Sequence, residues 1–280
     1  MISHRTDPQH CKQDNRAAPG TFEKVHGPTV EEDWRRILAL EQVCGAVEGI
    51  TTAAALELDE TREKITYVRL RNPRSILSGG KDIVNRLRQA GKMLAKLHSA
   101  PFNAKEFLFT NEPYPMDSFG LAEDETNLLQ DTIPTGWLHG DCWHGNFLLH
   151  GDDAGAIALI DPLPDGYTIQ RGFIRACGAI DLAVMHMGLF MCRPLKAQVT
   201  FNLTEAISCA DALLDGYFLT LGVTENRVRD SLLHLSRRLA IKHLSSYEGR
   251  LAAPIALVKR HVGKRIIKLL DDSKIGWKEQ

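Results

Sequence analysis

The stretch from Trp137 to Leu149, WLHGDCWHGNFLL, places a carboxylate and an amide inside an otherwise apolar run. Asp141 and Asn146 stand between two groups of residues of the kind that proteins usually bury. Aspartate and asparagine are poor strand formers. The pattern therefore predicts a loop between two strands, and the polar side chains in it require a chemical explanation.

A further carboxylate, Asp161, follows the next apolar segment in the sequence ALIDP. Phosphoryl transfer from ATP requires a carboxylate that accepts the proton of the attacking hydroxyl, and oxygen ligands that hold Mg²⁺ near the phosphates. Asp141 offers the base and Asn146 one metal ligand, while Asp161 offers a second ligand of the kind that Mg²⁺ prefers. The three side chains favour an ATP- and Mg²⁺-dependent phosphotransferase.

Four segments resemble one enzyme family, the aminoglycoside phosphotransferases and choline kinases, in the family's order and spacing. They are HGDCWHGN (139–146), similar to the catalytic loop, AGKMLAKLHSA (90–100), similar to the helix before it, ALIDP (158–162), similar to the metal-binding strand end, and IDLAVM (180–185), similar to the next helix start. The resemblance implies an α+β, bilobal protein-kinase-like fold with a small N-terminal α+β lobe and a larger, mainly α C-terminal lobe.

The resemblance also implies a role for each residue that matches the family's motifs. Asp141 would be the catalytic base, and Asn146 and Asp161 would hold Mg²⁺. His139 would brace the loop by hydrogen bonds and packing. Asp181 would tie the loop backbone from the helix below.

In the small lobe, the resemblance implies a nucleotide site on three segments. Lys24 on the first strand would contact the ATP phosphates, and Glu41, seventeen residues later on a helix, would pair with Lys24. The hinge that meets adenine would follow the strand KITYVRL, at Arg69, Leu70, Arg71 and Asn72.

Each of these residues also has an ordinary structural interpretation. Asp141 alone could be a turn or cap residue, and Asp161 before Pro162 could start a turn. Lys24 could be a strand-edge lysine and Glu41 a surface acid. The combined pattern favours the catalytic interpretation most strongly for Asp141.

The order of predicted elements divides the chain into an N-terminal arm (1–20), a small nucleotide-binding lobe (21–72) and a large catalytic and acceptor-binding lobe (73–280). The small lobe contains a strand, a helix and a hairpin, and the large lobe is mainly helical; the predicted segments are 21–26, 30–45, 50–59, 64–70, 83–99, 179–190, 206–222, 228–249 and 254–272. No glycine-rich loop precedes the first strand. Either the phosphates are covered in another way, or this lobe is shortened.

Composition narrows the class of protein. The formal net charge is -1, which gives no case for a nucleic-acid binder. Residues 227–280, however, hold thirteen Lys or Arg against five Asp or Glu, which fits an anionic acceptor or an anionic membrane surface. Six cysteines without metal-ligand spacing and a start without an apolar signal segment favour free thiols and a cytoplasmic protein.

The function predicted from the sequence is transfer of the γ-phosphoryl group of ATP to a hydroxyl of a small molecule, such as an aminoglycoside, a sugar or an amino alcohol. One alternative is a kinase of a lipopolysaccharide or other glycolipid sugar, with peripheral membrane contact through the basic C-terminal helices. Another alternative is a catalytically inactive kinase-like module that binds nucleotide.

Overall fold

A computed structural model describes residues 20–78, 82–151, 156–164, 168–191 and 203–245. The predicted N-terminal arm, apart from Gly20, and the predicted helix at 254–272 lie outside the described residues. We call residues 20–72 the small lobe and the described residues from 73 onward the large lobe. None of the helices in these ranges has the length and apolar content needed to cross a bilayer.

The small lobe is a three-stranded antiparallel sheet with one helix packed on it. Its elements are β1 (Thr21–Val25), α1 (Val30–Gly45), β2 (Ile50–Thr51), β3 (Ala55–Asp59) and β4 (Lys64–Val68). The strand order is β1-β4-β3, so that β1 lies at one edge of the described sheet. The helix at 30–45 is therefore predicted correctly, and so is the first strand, which ends one residue before its predicted bound of 26.

One part of the predicted hairpin is wrong. The run from 50 to 59 is divided, because Ile50 and Thr51 form β2 and pair in parallel with a large-lobe strand, β8 (Ala156–Leu159). Only β3 forms the hairpin with β4. Apolar residues continue through both pieces, so that the sequence does not show where the chain changes sheets.

The large lobe combines helices with short strands around the predicted catalytic loop, residues 139–146. Its other elements are β5 (Arg74–Ser75), α2 (Ile83–Ser99), α3 (Glu123–Thr132), β6 (Thr135–Trp137), β7 (Phe147–His150), β9 (Arg175–Cys177), α4 (Ala179–Met191), α5 (Leu203–Leu221) and α6 (Asn226–Ser245). The second sheet has the order β2-β8-β7-β5, and β6 pairs with β9. The α+β fold class with a mainly α large lobe is confirmed.

Helix α2 has the bounds that its helical spacing of apolar residues predicts, and it packs closely on α5. A Cβ atom added to Gly91 would lie 2.1 Å from the carbonyl oxygen of Leu213, and one added to Gly216 would lie 1.9 Å from that of Arg88. Both distances are far below van der Waals contact. The two helix backbones therefore touch, and this crossing fixes the helix that precedes the catalytic loop.

Helix α1 contributes to two apolar cores. Val30 and Ile37, from its first half, pack with Ile65 and Tyr67 of β4 in a small cluster. Leu40 and Val43, from its second half, belong to the main core that extends through the large lobe. The helix is thus held by both lobes, which makes it a structural link beside the candidate site.

Candidate functional site

The catalytic loop is held from below by Asp181, in the first turn of α4. Its Oδ2 accepts the backbone N–H of His139 at 2.7 Å, and its Oδ1 accepts that of Gly140 at 2.9 Å. Asp181 is fully buried. Hydrogen bonds from backbone N–H groups to a carboxylate are stronger than neutral ones. This side chain therefore fixes the loop at the two residues that precede Asp141.

His98, near the end of α2, completes this support. One of its ring nitrogens, Nε2, lies 3.3 Å from Asp181 Oδ2, and the other lies 2.8 Å from the hydroxyl of Tyr217. A Cβ on Gly178 would lie 2.3 Å from His98 Nδ1, so that only glycine fits beside this ring. His98 belongs to AGKMLAKLHSA, but the sequence analysis assigns it no role. A histidine near the end of an amphipathic helix was the sequence signal that could have revealed this supporting role.

His139 is buried and joins the loop to the next strand pair. Its Nε2 lies 2.8 Å from the carbonyl oxygen of Ile160, and its Nδ1 lies 3.2 Å from the backbone nitrogen of Asp141. Burial lowers the pKa of His139 below its ordinary value, despite the opposing influence of Asp181. A neutral ring without solvent access suits a bracing residue and not a proton carrier.

Asp141 is half-buried at the tip of the loop, where Asn146 contacts it. The side-chain amide of Asn146 donates to the carbonyl oxygen of Asp141 at 2.8 Å and to its Oδ2 at 3.2 Å. With the nitrogen used in this way, the amide oxygen Oδ1 of Asn146 has no hydrogen-bond donor among the described residues. The structure thus brings these two predicted residues together.

Asp161 lies two residues after the end of β8. The backbone N–H of Ile160 donates to the carbonyl oxygen of Asn146 at 3.0 Å, which continues the pairing of β7 with β8 and leaves Asp161 one residue beyond this hydrogen bond. Asp161 has a φ of 56°, in the left-handed region that few residues other than glycine, asparagine and aspartate adopt. Backbone strain of this kind persists where the surrounding structure holds it.

Lys24 reaches Asp161 from the small lobe. Its Nζ lies 2.7 Å from Asp161 Oδ1. Burial raises the pKa of Asp161, but the charge and hydrogen bond of Lys24 outweigh that effect and leave the pKa below its ordinary value. The carboxylate is therefore ionised at neutral pH, as a metal ligand must be.

The expected pair between Lys24 and Glu41 is not formed. Both residues lie in the described part of the chain, and no ion pair joins them. Glu41 Oε1 instead accepts the backbone N–H of Ala55, at the irregular start of β3, at 2.5 Å. An unpaired backbone donor at a register shift is the physical reason for this contact, and residue spacing could not reveal it.

The predicted hinge, residues 69–72, makes one backbone hydrogen bond to each lobe. The N–H of Arg69 donates to Gly20 at 2.8 Å, and the carbonyl oxygen of Arg71 accepts from Gly151 at 2.8 Å. Leu70 packs at the edge of the small-lobe core. Asn72 has a positive φ of 48°, which turns the chain toward β5.

The residues present fit Mg²⁺, although no group of three His, Cys, Asp or Glu side chains among the described residues is arranged to hold a metal. Asp161 supplies an ionised carboxylate and Asn146 an amide oxygen that no described residue uses. Two protein ligands suffice where Mg²⁺ keeps waters and binds substrate phosphates. The donor set therefore suits a metal that arrives with a nucleotide.

Comparison with known proteins identifies the fold. No protein-family model matches the chain, and no curated protein matches its sequence. Among solved structures, a glucosamine kinase is similar with a TM-score of 0.58 and 15% identity over 91% of this chain and 74% of that one. A choline/ethanolamine kinase family protein from Mesorhizobium loti gives 0.55 and 11%, over 92% and 84%. The AMP-bound complex of a spectinomycin phosphotransferase gives 0.51 and 14%, over 91% and 88%.

These structures belong to the group that the four sequence segments resemble. The predicted protein-kinase-like fold is therefore confirmed. At identities of this size, the likeness concerns the fold, and the chemistry has to be argued from the residues of this protein.

Proposed function

We propose that this protein transfers the γ-phosphoryl group of ATP, with Mg²⁺, to a hydroxyl group of a small molecule. One observation carries the proposal: Asn146 contacts Asp141 and is hydrogen-bonded to Ile160, and the next residue, Asp161, contacts Lys24. These contacts support a site in which Asp141 would be the base, Asn146 and Asp161 the metal ligands, and Lys24 the cation that meets the phosphates. A protein that only binds nucleotide has no need for the base.

The reaction follows from these positions. The acceptor hydroxyl donates a hydrogen bond to Asp141, which takes the proton as the acceptor oxygen bonds to the γ-phosphorus. The bond from phosphorus to the β–γ bridging oxygen breaks, and ADP carries that electron pair away. Asn146 orients Asp141 throughout, and Lys24 contacts the phosphates. Mg²⁺, held by Asn146 and Asp161, would neutralise charge on the β- and γ-phosphates.

The rate advantage comes mainly from position and electrostatics, because the protein forms no covalent intermediate in this scheme. Holding two reactants in line converts a bimolecular step into an effectively unimolecular one. Fixed charges around the transferred group stabilise the transition state. Rigid support of Asp141 by Asp181 and His139 is therefore part of the catalytic device.

A small-molecule acceptor, such as an aminoglycoside, a sugar or an amino alcohol, fits better than an anionic membrane surface. The solved neighbours are named for small acceptors. Three cations of α6, which is the described part of the basic C-terminal region, are used within the large lobe: Arg227 with Asp124, Arg229 with Asp215, and Lys242 with the carbonyl oxygen of Ser118. The basic segment at 259–268, which belongs to the same C-terminal region, lies outside the described residues.

The second candidate function is a kinase-like module that binds nucleotide without turnover. The specific observation in its favour is the sequence before β1, which contains a single glycine, Gly20, in residues 1–20 and therefore no glycine-rich segment. Affinity for the phosphates would then depend on Lys24 and the metal ligands.

The test is Mg²⁺-dependent ATP turnover on a panel of acceptors that includes aminoglycosides, choline, ethanolamine, glucosamine and lipopolysaccharide sugars. We expect Asp141→Asn to lower kcat at least about 100-fold, because general-base catalysis contributes factors of this size. Asp131→Asn, an exposed change on α3, is the matched control. Binding of Mg-ATP without turnover on any acceptor supports the inactive module, and failure to bind millimolar Mg-ATP contradicts both candidates.

A further inference from the structure

Four polar side chains form a continuous series of contacts beside the candidate site. The hydroxyl of Tyr67 lies 2.8 Å from His26 Nε2, and His26 Nδ1 lies 3.1 Å from Asp33 Oδ2. Arg171 Nη1 donates to Asp33 Oδ1 at 2.7 Å. We call Tyr67, His26, Asp33 and Arg171 the junction chain. It links β4, the end of β1 and the first turn of α1 to the large-lobe segment that follows Asp161.

Asp33 is the centre of the junction chain. It is 1% exposed, and burial of a carboxylate raises its pKa. The hydrogen bonds with His26 and Arg171, together with the charge of Arg171, outweigh that effect and hold the pKa of Asp33 below its ordinary value. Removing the partner of a buried ionised group strongly destabilises the folded protein. The contact with Asp33 therefore fixes the position of Arg171 relative to α1.

Neighbouring contacts hold the same two segments together. Arg36, which is fully buried, donates from Nη2 to the carbonyl oxygen of Phe173 at 2.6 Å. Its other contacts, through Nε and Nη2, are to Glu32 Oε1 at 3.0 and 2.8 Å. Glu32 Oε1 also accepts the backbone N–H of Gly172 at 3.1 Å. The first two turns of α1 are thus bound to residues 171–173.

The junction chain acts on the candidate site through β1. His26 directly follows β1, two residues after Lys24, and Lys24 contacts Asp161 across the cleft. Glu41, the residue that the sequence suggested for holding Lys24, is bound to Ala55. Besides the apolar packing of Phe22 on the small-lobe cluster, the polar connection between α1 and the end of β1 therefore passes through His26 and Asp33.

We infer that the junction chain sets the separation of the two lobes and thereby positions Lys24 against Asp161 before the nucleotide binds. These four are positioning residues, since none of them is expected to touch the substrate. The inference rests on the proposed function for its kinetic consequence, but its structural part can be tested without turnover.

The kinetic test compares Arg171→Met with Arg171→Lys and with a matched control, Arg227→Met, which removes an exposed ion pair within the large lobe. If Arg171→Met lets the lobes move apart, a smaller fraction of the free protein holds Lys24 against Asp161 in the arrangement that binds nucleotide. The apparent affinity for nucleotide then falls in proportion to that fraction. We expect the KM for Mg-ATP to rise about tenfold in Arg171→Met, with kcat and the acceptor KM within about twofold.

Arg171→Lys keeps a cation opposite Asp33 and should restore the KM to within about threefold of the wild type. Arg227→Met should leave the KM unchanged. A KM for Mg-ATP within twofold of the wild type in Arg171→Met overturns the inference, and so does a lower kcat at unchanged KM. If Arg171→Met does not fold, Tyr67→Phe, which removes one hydroxyl, takes its place, and an unchanged KM there overturns the inference equally.

Amide hydrogen exchange without nucleotide separates this inference from the proposed function. We expect Arg171→Met to speed exchange about tenfold both near residue 171 and in the first two turns of α1, which belong to the other lobe. Faster exchange near residue 171 alone overturns the inference even in an active kinase. Faster exchange in both segments of a protein that never turns over ATP supports the inference and contradicts the proposed function.

Discussion

The catalytic loop and the lobe junction hold their charged residues in different ways. Asp181 supports the loop from inside one lobe, fully buried and bonded to backbone N–H groups. Lys24 and Asp161 face each other across the cleft with side chains 14% and 34% exposed. The first arrangement is part of the folded core, whereas the second joins two side chains that remain partly exposed, where the proposed function would let a phosphate replace one partner.

The largest effect should follow from breaking the loop support. We expect Asp181→Asn to lower the free energy of unfolding by about 3 kcal/mol, because it removes a buried carboxylate from its N–H donors and from His98. Urea unfolding measures this change. Asp131→Asn, exposed on α3, should stay within about 0.5 kcal/mol of the wild type. If Asp181→Asn lowers the free energy of unfolding by less than 1 kcal/mol, the loop support does not differ from the lobe junction in the way described.

The interior of the large lobe should also make the free energy of unfolding depend on pH through His186. Burial lowers the pKa of His186 on α4 from 6.5 to about 4. The unfolded chain therefore takes up a proton below pH 6.5 that the folded protein refuses until about pH 4. Stability is lost as the pH falls through this window, by about 3 kcal/mol at 1.36 kcal/mol per pKa unit.

His186→Leu should abolish this contribution, so that its unfolding free energy between pH 7 and pH 4 falls about 3 kcal/mol less than that of the wild type. His234→Gln, at a side chain that is 60% exposed, is the control and should follow the wild type. Parallel pH profiles for all three proteins would contradict the prediction.

A smaller effect is expected at the cleft. Lys24→Met should raise the KM for Mg-ATP about tenfold, since one cation that contacts the phosphates contributes on the order of 1.4 kcal/mol. Because Lys24 also holds down the pKa of Asp161, the variant should need a higher pH for full Mg²⁺ binding. Steady-state kinetics at two pH values measure both changes. An unchanged KM would show that Lys24 only pairs with Asp161.

The smallest effect separates Glu41 from Lys24. We expect Glu41→Leu to cost about 1 kcal/mol of stability, the usual contribution of one hydrogen bond, because leucine has no acceptor for the N–H of Ala55. Its KM for Mg-ATP should stay within twofold of the wild type, because Glu41 contacts Ala55 and not Lys24. A tenfold rise in this KM would show that Glu41 joins Lys24 once nucleotide is bound.

The sequence predicted the elements whose pattern is local. Helices α1 and α2 have the predicted bounds, because their apolar residues recur at helical spacing. The fold class also followed from four short segments in order. The positions of Asp141, Asn146 and Asp161 rest on the antiparallel pairing of β7 with β8, two strands that are neighbours in the sequence.

Contacts between distant segments were beyond this reasoning. Nothing in the spacing of Lys24 and Glu41 shows that a register shift near Ala55 leaves a backbone donor for Glu41. Likewise, His26 and Asp33 read as ordinary polar residues until Arg171, more than a hundred positions later, is placed beside them. Tertiary partners of this kind depend on the packed fold.

The parallel pairing of β2 with β8 constrains how the cleft opens. The small lobe is joined to the large lobe through β2 at Ile50–Thr51, through the chain at 69–74, and through the contacts of α1 with residues 171–173. A movement of one lobe against the other therefore strains at least one of these attachments. The pairing of β2 with β8 restricts the relative rotation of the lobes more than the covalent connection alone would.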